Sequence, residues 1–325
     1  MPELGRFAAG ISFFRFGSRL YSPMPFVGEL AALSTAFLWS FTSLFFTSAS
    51  RRIGAYWVNK FRILFASVLL ATTLLIATGH LFPAETEAKS YYYLILSGII
   101  GLSIGDLFLF RAFVTIGTRL TLLIFSVSPI ITALVAWGML GETLSAMAIL
   151  GIVVTISGVA WVSAERNANG VESKPSDRRK RWLGISLAVG GATGQAIGLV
   201  LAKIGMGQNI QPLQATFIRM ISAAIAIWLF GFLRGDTKEV AEKFSNRRAI
   251  LLALGGSVCG PFLGVWLSLV SIKYTETGIA AAIMAIVPVM VIPLVVLFYK
   301  EKVSWRAVIG AVIAVGGVFL LFLAT

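Results

Sequence analysis

Three charged side chains stand out inside apolar runs that are long enough to cross a membrane: Arg62, Asp106 and Arg219. A guanidinium can grip a carboxylate through two parallel hydrogen bonds, and a carboxyl can take up or release a proton. Inside a bilayer each such group is expensive, so it faces a partner or a wet cavity. Arg62 lies about five residues into its run and Asp106 about six from the end of its own. Those two ends meet the same membrane face, so Arg62 and Asp106 are expected to pair. The pair either holds two helices together or lines a cavity and responds to a proton or a charged substrate. Arg219 repeats Arg62 at a spacing of 157, but the position 159 beyond Asp106 is Val265. Lacking the equivalent acid, Arg219 either receives a substrate carboxylate, reaches the interface or meets Glu276. Trp39 offers an aromatic wall in mid-run, and Gln195 offers an amide to a ligand or to another helix. Trp39, Arg62, Asp106, Gln195 and Arg219 are therefore the candidate substrate contacts. The one histidine, His80, falls in a loop, and the one cysteine, Cys259, has apolar neighbours. A packing role suits that thiol, and neither a metal nor a cofactor is expected.

The elements that must carry these residues are membrane helices. Of the 325 residues, 58% are hydrophobic and only 13% charged, about half the charge of a soluble domain. Backbone groups in lipid must bond internally, which leaves helices or a closed barrel. The strand alternation of a barrel is absent, and runs of about 20 apolar residues recur. Ten spans are expected: 27–47, 57–78, 92–112, 119–140, 146–164, 183–203, 213–233, 249–270, 278–299 and 305–324. Residues 1–26 form an N-terminal extension, in which Arg6, Arg15 and Arg19 flank and follow the short apolar run from Phe7 to Phe14. It is either an interfacial segment or sequence ahead of a true start at Met24. Residues 165–182 form a basic linker.

The chain is duplicated. Pro129, Glu142, Ser145, Gly151 and Gly158 return, 159 positions on, as Pro288, Glu301, Ser304, Gly310 and Gly317. Gly101 and Gly105 match Gly260 and Gly264 at the same offset, and Trp39 aligns with Gln195 at 156. Each copy, 27–164 and 183–325, holds five spans. Five is odd, so the second copy enters the membrane from the opposite side, and the copies are inverted repeats. That is the build of secondary transporters, with a site at mid-membrane between the repeats. The prolines remove backbone hydrogen bonds in mid-span, which kinks the helix or leaves carbonyls free for a ligand. The glycines four apart have the spacing that lets helices approach closely. Glu142 and Glu301 precede spans 5 and 10, where a carboxylate suits a helix N-terminus; a gate contact is the alternative. Tyr91, Tyr92 and Tyr93 fit an interfacial belt.

Trp39, the Phe61–Ala66 stretch FRILFA and the block from Pro129 to Gly141-Glu142 resemble the drug/metabolite transporter superfamily, in its EamA-type ten-helix branch. In the second copy Lys300-Glu301 replaces Gly-Glu. The resemblance spans residues 27–324. It implies an all-α integral membrane protein of two EamA-type repeats that moves small metabolites or drug-like molecules, often outward, with no single substrate and no agreed site set.

Of the 27 Lys and Arg, 20 lie in or beside the loops after spans 1, 3, 5, 7 and 9. Such loops sit at lipid headgroups, so the net charge of +13 signals membrane lipid rather than nucleic acid. The positive-inside rule puts these loops in the cytoplasm and both termini outside; the family resemblance suggests the reverse. No phosphate-cradling GxxxxGK[ST] sequence occurs, so an ion gradient is the expected drive, with Asp106 as the simplest route for proton coupling. The expected function is a secondary transporter of small organic metabolites, an exporter working by alternating access in a bacterial inner membrane. A membrane scaffold, an embedded enzyme and a channel are the competing classes. The last two would need clustered acid–base residues or polar pore rings, and neither is present in the sequence. The oligomeric state is open.

Overall fold

The computed structural model describes residues 25–83, 86–166, 178–207, 209–299 and 303–324. Most of the N-terminal extension, the middle of the basic linker, Lys300 and Glu301 lie outside them. Ten helices are long and apolar enough to cross a membrane: α1 (Val27–Ile53), α2 (Ala55–Thr78), α3 (Ala88–Gly117), α4 (Leu120–Leu140), α5 (Ala146–Ala164), α6 (Arg178–Met206), α7 (Pro212–Leu233), α8 (Arg247–Tyr274), α9 (Thr277–Leu294) and α10 (Trp305–Ala324). The basic cluster Arg178–Arg181 is helical and forms the first turn of α6. The described residues contain no strand. Successive helices alternate in direction, so α1–α5 and α6–α10 cross the membrane in opposite senses.

The turns between helices are short for local reasons. α1 passes into α2 through Gly54 alone, at φ 86°, a conformation that costs glycine little. α5 starts from Ser145, whose hydroxyl accepts from the Ala148 amide, and α10 starts in the same way from Ser304 and Ala307. Each serine leaves one fewer orphan donor at the helix start.

Inter-half packing is built from the repeated glycines. α5 lies along α10, where Gly158 meets the backbone of Gly310 and Ala314, and Gly317 meets Thr155. α3 widens to i→i+5 bonding over Gly98–Gly105, and α8 does so over Val258–Gly264. Such bulges are frequent at functional sites. The widened part of α3 rests on α6 of the other half. A methyl on Gly198 would lie 2.8 Å from the Gly101 Cα, and one on Gly194 2.9 Å from the Gly105 Cα. The widened part of α8 rests on α1, with Gly260 against Thr42 and Gly264 against the Trp39 indole. The first helix and the third helix of opposite halves thus meet twice.

Candidate functional site

A cavity of about 260 Å³ lies between the halves. The breaks in α4 and α9 shape it. α4 stops at Ser126–Val127 and restarts at Ser128 with Pro129 in its first turn; α9 stops at Ala285–Ile286 and restarts at Val287 with Pro288. Each proline lacks an N–H, so the carbonyl four residues earlier, of Phe125 or Met284, loses its helical donor. Phe125, Ser126, Met284 and Ala285 all line the cavity. Discontinuous helices at the repeat interface are the usual frame of a transporter site.

The lining is mostly apolar, from Trp39, Leu102, Leu122, Val159, Leu199 and Val265 among others. Its hydroxyl donors are already used. Ser126 donates to the Leu123 carbonyl at 2.7 Å, Ser128 to Ala192 at 3.3 Å, Thr132 to Ser128 at 2.9 Å and Ser268 to Val265 at 2.7 Å. Arg219 also lines the cavity and is 2% exposed. Among the described residues its Nε and Nη1 are buried without a hydrogen-bond partner.

Arg62 is differently placed. Its guanidinium pairs with Asp106, its Nε donates to Asn59 Oδ1 at 2.7 Å, and it lies 5.6 Å from the Phe46 ring and 5.7 Å from the Phe110 ring. The pair that the sequence predicts therefore forms, but beside the cavity and not in its lining.

Both ends of the bundle carry contacts between the halves. On the face where α1 begins, Glu142 accepts from the Thr277 amide at 2.7 Å and hydroxyl at 2.9 Å, and it pairs with Lys203 at 2.7 Å. Lys203 also donates to the Thr275 carbonyl, and Thr275 donates to the buried Glu29 at 2.6 Å. On the basic face Lys60 is fully buried and donates to both Asp236 oxygens at 3.0 Å. The rings of Trp228, Trp57 and Tyr56 surround its ammonium at 4.5 to 5.5 Å. Burial would raise the Asp236 pKa, but hydrogen bonds from Tyr56 and Lys60 outweigh it and hold the carboxyl below its usual range.

The model of the EamA-like transporter family matches residues 26–164 and again 182–323. The chain belongs to the EamA-like transporter family. It is 21% identical over 295 residues to an uncharacterized transporter of Archaeoglobus fulgidus, covering 90% of this chain and 97% of that one. It is also 28% identical over 195 residues to the human solute carrier family 35 member G1, a match that spans 58% of this chain and only about half (51%) of the human protein. A crystal structure superposes with a TM-score of 0.74 over 93% of this chain and 98% of the other, at 16% identity; that likeness is one of fold.

In this EamA-type chain, Trp39, Gln195 and Arg219 come together at the cavity, while Arg62 and Asp106 stand outside its lining. Glu142 caps a helix as its acidity suggests, but the helix is α9 of the other half and not the adjoining α5. Glu276 is not the partner of Arg219. Sequence reasoning missed the Lys203 bridge and the Lys60 cage, because both lysines look like loop charges in the sequence. It also missed the lining of Leu122, Val159 and Met284, for which the repeated prolines are the one usable signal.

Proposed function

We propose that the protein is a secondary transporter that carries small organic molecules across a cell membrane by alternating access, in the outward direction, with the cavity between its inverted halves as the substrate site. The observation that carries this reading is the cavity itself. It lies where two inverted copies meet, both broken helices line it, and it holds a buried arginine without a partner. Its volume is below the roughly 300–1,000 Å³ of drug-sized sites, which suits a small metabolite. Trp39, Gln195 and Arg219 touch the substrate; Arg62 and Asp106 clamp α2 to α3 beside it. The Glu142–Thr277–Lys203 network holds one face shut and must part when the cavity opens there, since it joins the α4–α5 turn to the α8–α9 turn and α6.

Family membership supports transport of small molecules, and the apolar spans support a multi-pass membrane protein. Outward movement driven by an ion gradient in a bacterial inner membrane completes the proposed reading. The test is counterflow in proteoliposomes. A carrier loaded with unlabelled substrate accumulates labelled substrate transiently above equilibrium. A scaffold shows no flux and a channel shows no overshoot, and either result would defeat the proposal.

A further inference from the structure

The charges buried in this bundle do not balance. Among the described residues Glu29, Lys60, Asp106 and Arg219 are buried and charged. Glu29 accepts from Thr275, Lys60 is held by Asp236 and Asp106 holds Arg62. Arg219 alone of the four has no bonded counter-group, and two of its guanidinium nitrogens have no acceptor at all. Asp106 is the carboxylate within electrostatic reach, but it is committed to Arg62, so the two arginines and one aspartate leave one positive charge in excess. Buried charges are ordinarily paired, and a membrane interior makes the requirement stricter.

The rest of the cavity says what can supply the missing charge. With the serine and threonine hydroxyls bonded to backbone carbonyls, Arg219 and Gln195 are the polar side chains left to recognise a ligand, beside the Trp39 indole. Among the described residues no Asp or Glu lines the cavity, so an ammonium group would find no carboxylate there. The remaining walls are aromatic and aliphatic.

We infer that the cavity takes an amphipathic organic monoanion, with its carboxylate on Arg219 and Gln195 and its apolar body against Trp39, Leu102 and Val265, and that it discriminates against zwitterionic amino acids of the same shape. The carboxylate neutralises the excess charge, and a planar guanidinium meets it with two parallel hydrogen bonds. An α-ammonium on the same molecule would be repelled by Arg219 with no carboxylate to balance it. Among the described lining residues it would find only neutral acceptors, such as the carbonyls freed by Pro129 and Pro288. This inference rests on the cavity being a substrate site, but it concerns binding and can be tested apart from transport.

The test uses the purified full-length protein in detergent and three probes with one apolar body: 3-phenylpropanoate, 3-phenylpropanamide and phenylalanine. Affinity is read by tryptophan fluorescence and by ligand-induced shifts in melting temperature. Wild type should bind the carboxylate about tenfold or more tighter than the amide or the zwitterion, the range set by a hydrogen bond to a charged group. Arg219→Gln should bind carboxylate and amide within about twofold of each other, and Arg219→Lys should keep part of the preference as a point charge without the fork. The melting temperature of each unliganded variant establishes that it is folded. Equal binding of the three probes to wild type, tightest binding of phenylalanine, no carboxylate binding at millimolar concentration, or an undiminished preference in a folded Arg219→Gln would each overturn the inference. Counterflow with the same probes separates the two claims. The expected ranking without counterflow would refute carriage and keep the anion site, and counterflow without the ranking would do the opposite.

Discussion

Arg62 in α2 and Arg219 in α7 are the same position in two copies of one bundle, yet they live in opposite circumstances. Arg62 has Asp106 on the next helix, Asn59 one turn back and a phenylalanine ring near each side. Arg219 is more deeply buried and lines the cavity together with Val265, the counterpart of Asp106. Duplication supplied two arginines in equivalent frames. One copy carries an acid beside its arginine and forms a clamp between helices; the other has Val265 there, and its cation is available to something that enters from outside the chain. The same scaffold position serves packing in one half and recognition in the other, and the difference lies in one residue on the neighbouring helix.

The comparison can be broken most sharply from the first half. Asp106→Asn leaves the half-buried Arg62 without its acid and removes the carboxylate near Arg219. Breaking a fully buried pair from one side costs about 3–5 kcal/mol. Arg62 keeps some contact with solvent, so the loss falls toward the lower end and the melting temperature in detergent should drop by several degrees. Arg219→Gln removes a charge that has no partner and should leave the melting temperature unchanged or higher. Equal losses in both variants would mean that the two arginines are not in different circumstances after all.

The cross-half latch gives the next largest effect. Glu142→Gln keeps an acceptor for Thr277 but loses the charged bridge to Lys203, a change of about 1.5–3 kcal/mol for a hydrogen bond between charged groups. The face it closes should open more often. In a Cys259→Ala background, a cysteine at Ala281 should then react roughly tenfold or more faster with a membrane-impermeant thiol reagent, where an unchanged rate would remove the latch. Gly198→Ala tests the contact between the halves. Its methyl would sit 2.8 Å from the Gly101 backbone, and such overpacking costs about 1–3 kcal/mol, read as a lower melting temperature. The smallest effect concerns the Lys60 cage. Because the Asp236 pKa is depressed in the fold, its contribution is fully present above the ordinary carboxylate range and is lost as pH falls through the lower folded value. Melting temperatures should show no loss from this site between about pH 8 and 5 and a fall below about 4; a loss near neutrality would contradict the assignment.

The repeat makes most of the fold legible in the sequence. Pro129 and Pro288 marked the two helices that break, and the glycine pairs marked close helix packing without showing that it joins the two halves. Composition located all ten spans, with ends that differ from the helices by at most six residues, because long apolar runs of about twenty residues suit a membrane crossing. The site was legible where a side chain was out of place for its surroundings, as with Arg219 in an apolar run. It was not legible where an ordinary residue gained meaning from a distant element. Nothing local marks Lys203 as the partner of Glu142, because the two lie in different halves and meet only when the halves dock. Nor does a count of charges distinguish the Lys60 ammonium, sealed among three aromatic rings, from a lysine at the headgroups. Such pairings depend on tertiary approach, and sequence periodicity carries no record of it.

The most direct measurement restores in the second half what the first half has. In Val265→Asp the repeat geometry places a carboxylate where Arg219 can take it, as Asp106 takes Arg62. The variant should melt no lower than wild type and bind 3-phenylpropanoate no better than 3-phenylpropanamide, because the anion site is already filled from within. A Val265→Asp protein that is folded and still prefers the carboxylate about tenfold would show that Arg219 was never the vacancy the substrate occupies.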